Sequence, residues 1–321
     1  MGFLDRLLGG GGDEDPEAQA RREQDVARVE GGGIPLAAEQ RIRELAAGGT
    51  AFTSGLSVAD FALSRLGDVR PICQVMGSSV YKVGWQNYPW SGTWGGGSLT
   101  EMRQLTDAWN HARALALGRL QQEAELAGCH AVVDVTFGAN RHEFLSGELE
   151  IVVNGTAVHL PERSGDERSA RGRSGETPIL TDLSLPDYTL LRRAGYAPVG
   201  VVTSTSVFYV VPGWSTRRAA NRGGGWFAAP NQELHDFTQG VYAAREMALA
   251  RATAQAERIG AGGMIGMRIE HRIDTRESGG ESNKRTDLIV TFHTLGTAIA
   301  AASEHRPLDV RTVVRQGAAR R

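Results

Sequence analysis

The sequence predicts an α+β fold made of one unit present twice, and three internal matches carry that prediction. Leu56-Ser57-Val58-Ala59-Asp60-Phe61, Pro71-Ile72 and Ser78-Ser79-Val80-Tyr81 recur as Leu183-Ser184-Leu185-Pro186-Asp187-Tyr188, Pro198-Val199 and Thr205-Ser206-Val207-Phe208. Ala112-Arg113, Ala116-Leu117, Arg119, Glu125 and Gly128 recur as Ala244-Arg245, Ala248-Leu249, Arg251, Glu257 and Gly260, and Gly155-Thr156-Ala157-Val158 recurs as Gly296-Thr297-Ala298-Ile299. Each copy reads as strand, long helix, strand, strand. Three strands form a small antiparallel sheet with one apolar face, and one long helix covers it. The sheet edges remain open, and open edges call for partners.

The elements follow in order. Residues 1–50 hold an N-terminal peptide, a leash and short helices. Phe3, Leu4, Leu7 and Leu8 fall at helical spacing, then Gly9–Gly12 and Asp13-Glu14-Asp15-Pro16 form a flexible leash. Residues 17–30 are helix-prone but polar on nearly every face, and a short helix is expected from Pro35 to about Ala47. The first repeat occupies 51–160. Ser57 caps a short helix ending at Gly67, 71–83 form a Val/Ile-rich strand, and 84–97 a loop with Trp85, Tyr88, Trp90 and Trp94. A long helix runs from Ser98 or Thr100 to Gly128, with Leu105, Trp109, Ala112, Ala116, Leu120 and Ala124 in helical period. Strands near 130–138 and 148–159 close the unit around Ser146-Gly147. Residues 161–178, rich in Arg, Glu, Ser and Gly, read as a linker. The second repeat, 179–302, copies the plan: a strand at 198–211, a Gly/Trp loop through Trp226, a helix from about Asn231 to Gly260, and strands near 263–274 and 286–299. A basic tail fills 303–321.

Composition limits the function classes. A net charge of −2 over 321 residues provides no general electrostatic attraction for nucleic acid or membrane. Two cysteines, Cys73 and Cys129, are too few for a disulfide framework. No apolar stretch reaches the length of a membrane span, and no secretory leader is legible, so a cytoplasmic location is expected, peripheral at most to a membrane or partner assembly.

Several segments together resemble the YbjQ-like family, which is labelled heavy-metal-binding. They are Val75-Met76-Gly77-Ser78-Ser79-Val80, the Ala/Arg/Glu helix from Ala112 through Gly128, Cys129-His130-Ala131-Val132-Val133, and Asn154-Gly155-Thr156-Ala157-Val158. Gly260-Ala261-Gly262-Gly263-Met264-Ile265 follows the pattern more loosely in the second copy. The resemblance implies two tandem dodecin-like β-α-β-β units, a homopentamer or pseudo-decameric ring, and no established catalytic activity.

Candidate sites divide into three kinds. Cys73, Cys129 and His130 are the candidate ligands for a divalent or heavy-metal ion. Cys129 and His130 are adjacent on a strand, however, and the second copy has Gly200, Ala261 and Gly262 in these places. Trp85, Trp90, Trp94, Trp214 and Trp226 are candidate interface aromatics. Phe3, Leu4, Leu7 and Leu8 are the candidate docking face, for a protein partner's groove or a membrane surface. His111 lies one turn beyond Asp107 and reads as an exposed pair. No Gly-x-Ser-x-Gly, Walker or His-Glu-x-x-His motif is present, so no catalytic residues are assigned. The expected function is a non-catalytic, ring-forming binding or scaffold protein. The second reading is sequestration of a heavy metal or small ligand at subunit interfaces.

Overall fold

The computed structural model describes residues 16–48, 51–66, 69–84, 97–142, 148–160, 177–221, 232–278 and 285–302. The order is α1 (Pro16–Glu30), α2 (Leu36–Ala46), α3 (Val58–Leu66), β1 (Arg70–Lys82), β2 (Ser98–Glu101), α4 (Arg103–Leu126), β3 (Ala131–His142), β4 (Glu148–His159), β5 (Ile179–Leu180), α5 (Leu185–Arg193), β6 (Tyr196–Val211), α6 (Trp214–Asn221), α7 (His235–Arg258), β7 (Gly263–Ser278) and β8 (Arg285–Ala301).

Two four-stranded sheets result. Sheet A runs β1-β4-β3-β5 and sheet B runs β2-β6-β8-β7. In each, the last strand of the set pairs with both the first and the middle one and lies between them, so β1-β4-β3 and β6-β8-β7 share one connection order. The agreement extends to irregularities. Register shifts fall at Pro71/Cys73 and Pro198/Gly200, and again at Val133/Thr136 and Ile265/Arg268. The second pair of bulges places Asp134 and Gly266 in the left-handed region, at φ 55° and 65°.

Local chemistry repeats as well. Ser57 Oγ accepts from Asp60 N at 3.1 Å, and Ser184 Oγ from Asp187 N at 3.3 Å, capping α3 and α5. Gly55 N donates to Thr156 Oγ1, and Asp182 N donates to Thr297 Oγ1. The long helices end in left-handed glycines, Gly128 and Gly260. Glu123 on α4 accepts from Met76 N at 2.8 Å, and Gln255 on α7 accepts from Thr203 N at 2.9 Å, so each helix holds a free strand amide at the same place.

Both helices lie close to their sheets because small residues recur every fourth position. α4 buries Ala112, Ala116, Leu120 and Ala124, and α7 buries Gly240, Ala244, Ala248, Ala252 and Ala256. The expectation of one sheet beneath one helix is too simple for α4. Its alanine strip faces β1 and β4, while its opposite flank packs against β6. Val207, Tyr209, Val211, Ile289 and Leu295 of sheet B therefore share a single core with α4 and sheet A. Phe208, Val210, Val290 and Phe292, on the other side of sheet B, pack with α7. Sheet A is also mixed rather than purely antiparallel, since β5 pairs in parallel with β3.

A second difference concerns 98–101, expected as the start of the long helix. This stretch is strand β2, antiparallel to Val211–Phe208 of β6. The β-prone pair Leu99-Thr100 satisfies the backbone groups along the open β6 edge, and the helix begins only after it. Among the N-terminal elements, the α1–α2 hairpin is tied to α4 by Arg119, which donates to Gly33 O at 3.1 Å and Val29 O at 2.9 Å. Arg41 of α2 also pairs with Glu123 at 3.1 Å, and Ile42 is fully buried.

Gly77 marks the tightest helix–sheet approach. A Cβ there would lie 1.9 Å from Ala116 O and 2.6 Å from Leu120 N. Its counterpart Ser204 fits because Sheet B keeps α7 far enough away for Ser204 Oγ to donate to Ala248 O at 2.6 Å. Gly77→Ala is expected to lower stability by about 3 kcal/mol in urea unfolding, the upper end of overpacking costs, because backbone must move. Ser204→Gly should cost clearly less.

Candidate functional site

The candidate metal ligands do not converge. Cys73 on β1 and Cys129 beyond α4 are free and buried. They lie near enough that each thiol's ionisation would disfavour the other's, and Cys129 Sγ donates to Ala124 O at 3.3 Å. Burial pushes Cys73 up to about 11 and Cys129 up to about 12, so both are neutral thiols at pH 7 rather than thiolates. His130 is engaged elsewhere. Its Nδ1 accepts from Leu160 N at 3.1 Å, which places the ring proton on Nε2, and its ring stands edge-on to His159 at 5.0 Å. Burial, then the neighbouring His130 and Arg70, lowers His159. Among the described residues no three His, Cys, Asp or Glu side chains are grouped to hold an ion.

The densest polar constellation lies where α4 meets sheet B. Thr106 Oγ1 accepts from Val207 N at 3.0 Å. The Asn110 side-chain amide bonds Thr205 twice, accepting from its N at 2.8 Å and donating to its O at 3.0 Å. Arg113 Nη1 donates to Thr203 Oγ1 at 2.6 Å and Ser204 O at 2.8 Å, and Nη2 donates to His293 Nδ1 at 3.0 Å. The guanidinium also lies 5.5 Å from the Phe137 ring centre on sheet A. Trp109 stands edge-on to His293 at 4.9 Å. Burial lowers Arg113 to about 10, which leaves it protonated at neutral pH. Burial, reinforced by Arg113, lowers His293 to about 3 and keeps it neutral. This set locks two sheets together through one helix. Sequence reasoning passed over it. Thr106, Asn110 and Arg113 follow i, i+4, i+7 spacing opposite the alanine strip, a second buried stripe that the pattern did contain.

The remaining predicted residues sort simply. His111 packs edge-on against Tyr81 at 5.3 Å, and both line an open cleft of about 620 Å³ with Gln104 and Asp107. Trp214 opens α6 and is exposed. Trp85, Trp90, Trp94, Trp226 and the docking set Phe3, Leu4, Leu7 and Leu8 lie outside the described residues. No described helix is long and apolar enough to cross a membrane.

These features define an α+β protein in which a buried polar network among the described residues joins two sheets. The YbjQ family model, described as "putative heavy-metal-binding", matches residues 94–161, from just before β2 to the end of β4. A protein of Mycobacterium tuberculosis described as an encapsulin nanocompartment protein is 35% identical over 250 residues, covering 77% of this chain and 85% of its own. A UPF0145 protein of Thermosipho melanesiensis is 40% identical over 60 residues, 19% of this chain and 54% of that protein. No solved structure matches significantly. The chain belongs to the same family as the mycobacterial nanocompartment protein.

Two predictions follow from the polar junction. Arg113→Ala should cost roughly 3 kcal/mol in urea unfolding, from unsatisfied acceptors and the space vacated. His293 titrates near 3 in the folded chain and near 6.5 as a free side chain. Between these values the unfolded chain binds the extra proton, so the His293 contribution is intact above about pH 6.5 and is lost as pH falls toward 3. The slope is at most about 1.4 kcal/mol per pH unit. Acid unfolding of His293→Gln should accordingly be shallower than that of the parent across this window.

Proposed function

We propose that the protein is a non-catalytic, self-assembling scaffold or binding component that works with a nanocompartment. The similarity to the mycobacterial protein over most of both chains carries this reading. The use of the most buried polar residues for joining units, rather than for a reactive centre, supports it. Under this reading both β-α-β-β units are YbjQ-like copies, the chain assembles as a ring of a homopentameric or pseudo-decameric kind, and residues 1–8 dock it to a shell or other partner surface. The protein works in the cytoplasm, where a nanocompartment would enclose or border it.

Deleting residues 1–12 is expected to leave the native mass of the assembly unchanged and to abolish co-purification with a co-expressed nanocompartment shell. Undiminished co-purification would remove the docking role from the N-terminal peptide.

A second reading, metal sequestration, is favoured by the description of the matching family model. Single ligands from several chains, with Cys73, Cys129 and His130 among them, would then meet at subunit interfaces. Elemental analysis of protein purified without chelators should give a whole-number metal-to-chain ratio that falls in a Cys73→Ala/Cys129→Ala variant. Sub-stoichiometric metal in the parent would reject this reading.

A further inference from the structure

We infer that a second copy of this chain docks head-to-tail, placing the outer flank of α7 against the β1 edge of the next copy and adding residues 52–56 of that copy to the β7 edge. The inference deepens the self-assembly reading and rests on it.

The two long helices differ in what they bury. α4 buries two stripes: the alanines on sheet A, and Thr106, Trp109 and Arg113 against sheet B. α7 buries only its small-residue stripe. The residues of α7 that correspond to Thr106, Asn110 and Arg113 are Thr238, Tyr242 and Arg245, by the register that aligns Ala112 with Ala244. Tyr242 is 58% exposed and the Arg245 side chain 45% exposed, whereas Arg113 is 3% exposed. α7 therefore carries the outer stripe without the sheet that covers it in α4.

The missing surface exists elsewhere in the chain. α4 meets β6 at Thr203, Thr205 and Val207, which correspond to Met76, Ser78 and Val80 of β1. β1 is the terminal strand of sheet A, with no strand beyond it among the described residues; the α1–α2 hairpin packs beside it, where Arg41 pairs with the Glu123 that holds Met76 N, so the open stretch is the one toward Val80. Val80 is 65% exposed, whereas Val207 is 0% exposed. One difference between the two junctions is matched on both sides. Arg119 already donates to Ser78 O, the counterpart of the carbonyl that Asn110 bonds in the internal junction. The α7 position that would face it carries Tyr242 in place of an amide.

A second, independent part of the internal junction is also left half-made. β5 adds to the β3 edge, with Ile179 beside Ala131, and Leu183 O accepts from Asp134 N at 2.9 Å. The corresponding edge is β7, last in sheet B, where Gly266 holds the place and backbone twist of Asp134. The segment corresponding to β5 is Phe52-Thr53, and Phe52 is 49% exposed against 3% for Ile179. Both donor surfaces belong to the C-terminal unit and both acceptor surfaces to the N-terminal unit. The contact is thus heterologous and propagates from chain to chain. Because the same junction already joins the two units within each chain, a ring closed this way contains an even number of units.

Two exposed substitutions test this. Val80→Arg blocks the acceptor side and Tyr242→Arg the donor side. By native mass spectrometry the parent should be a discrete multiple of 34.5 kDa, and each variant alone should fall to one chain. Mixed together, the two variants should give a two-chain species and nothing larger, since one intact donor meets one intact acceptor. Circular dichroism of each variant should match the parent, and melting should stay cooperative, at a lower temperature once the assembly is lost. A monomeric parent overturns both this inference and the self-assembly reading. An assembled parent whose mass neither variant changes, or changes with one variant only, overturns the head-to-tail contact and leaves self-assembly standing. As a check that does not depend on either charge, Ser78→Cys/Tyr242→Cys treated with a short bis-maleimide should give a ladder of linked chains on denaturing gels. Cys73 and Cys129 are buried, so they contribute none. Absence of the ladder, with both new thiols shown to be reactive, counts equally against the contact.

Discussion

The organisation of this protein depends on one helix being buried from two sides. A helix that meets a single sheet can leave its far flank to water, as α7 does in the isolated chain. α4 cannot, because sheet B lies against that flank. Polar groups buried there must be paired, or each would cost on the order of 1–3 kcal/mol. Thr106, Asn110 and both terminal nitrogens of Arg113 meet this demand by bonding β6 and His293, while Arg113 Nε is left without a partner. The helix thereby completes the sheet while joining it to its neighbour.

A buried guanidinium with no carboxylate in contact is an expensive way to make such a joint. What offsets the cost is number and geometry: a hydroxyl, a carbonyl, an imidazole nitrogen and an aromatic face all receive Arg113, and the Glu270 carboxylate favours its charge from beyond contact. The imidazole must be neutral to accept, and the cation beside it helps to keep it so. The same low-dielectric surroundings that raise the thiols Cys73 and Cys129 make them core residues in this chain. Among the described residues no three potential ligands are grouped to hold an ion, whereas the self-assembly reading draws on contacts whose internal counterpart is already formed.

Much of the fold was legible in the sequence because its signals are local or periodic. The four-residue alanine stripes, the Ser-x-x-Asp caps and the terminal glycines report helices and their ends directly. Internal matching then transferred each element from one unit to the other, and the strands β1, β3, β4, β6, β7 and β8 fall close to where that transfer places them. The β2 strand was not legible, since Ser98-Leu99-Thr100-Glu101 is compatible with a helix start and becomes a strand only beside the β6 edge. For Cys73, Cys129 and His130, strand alternation already spoke against a shared ion in the sequence, but not where each side chain would go. A backbone turn and the Leu160 amide direct His130 away, and no periodicity carries that information.

By itself, then, the sequence determined two long helices, each with a stripe of mostly small residues lying close on a sheet, because spacing and residue size act within a few residues of chain. Only the tertiary structure decided which flanks are covered. Arg113 and Arg245 occupy the same place in matching helices, yet one is sealed between sheets and the other faces outward. Burial depends on what the chain brings alongside, and for α4 that is a sheet about a hundred residues further on. Among the described residues, the chain supplies one such sheet to one of its two long helices, and the outer stripe of the second is left exposed.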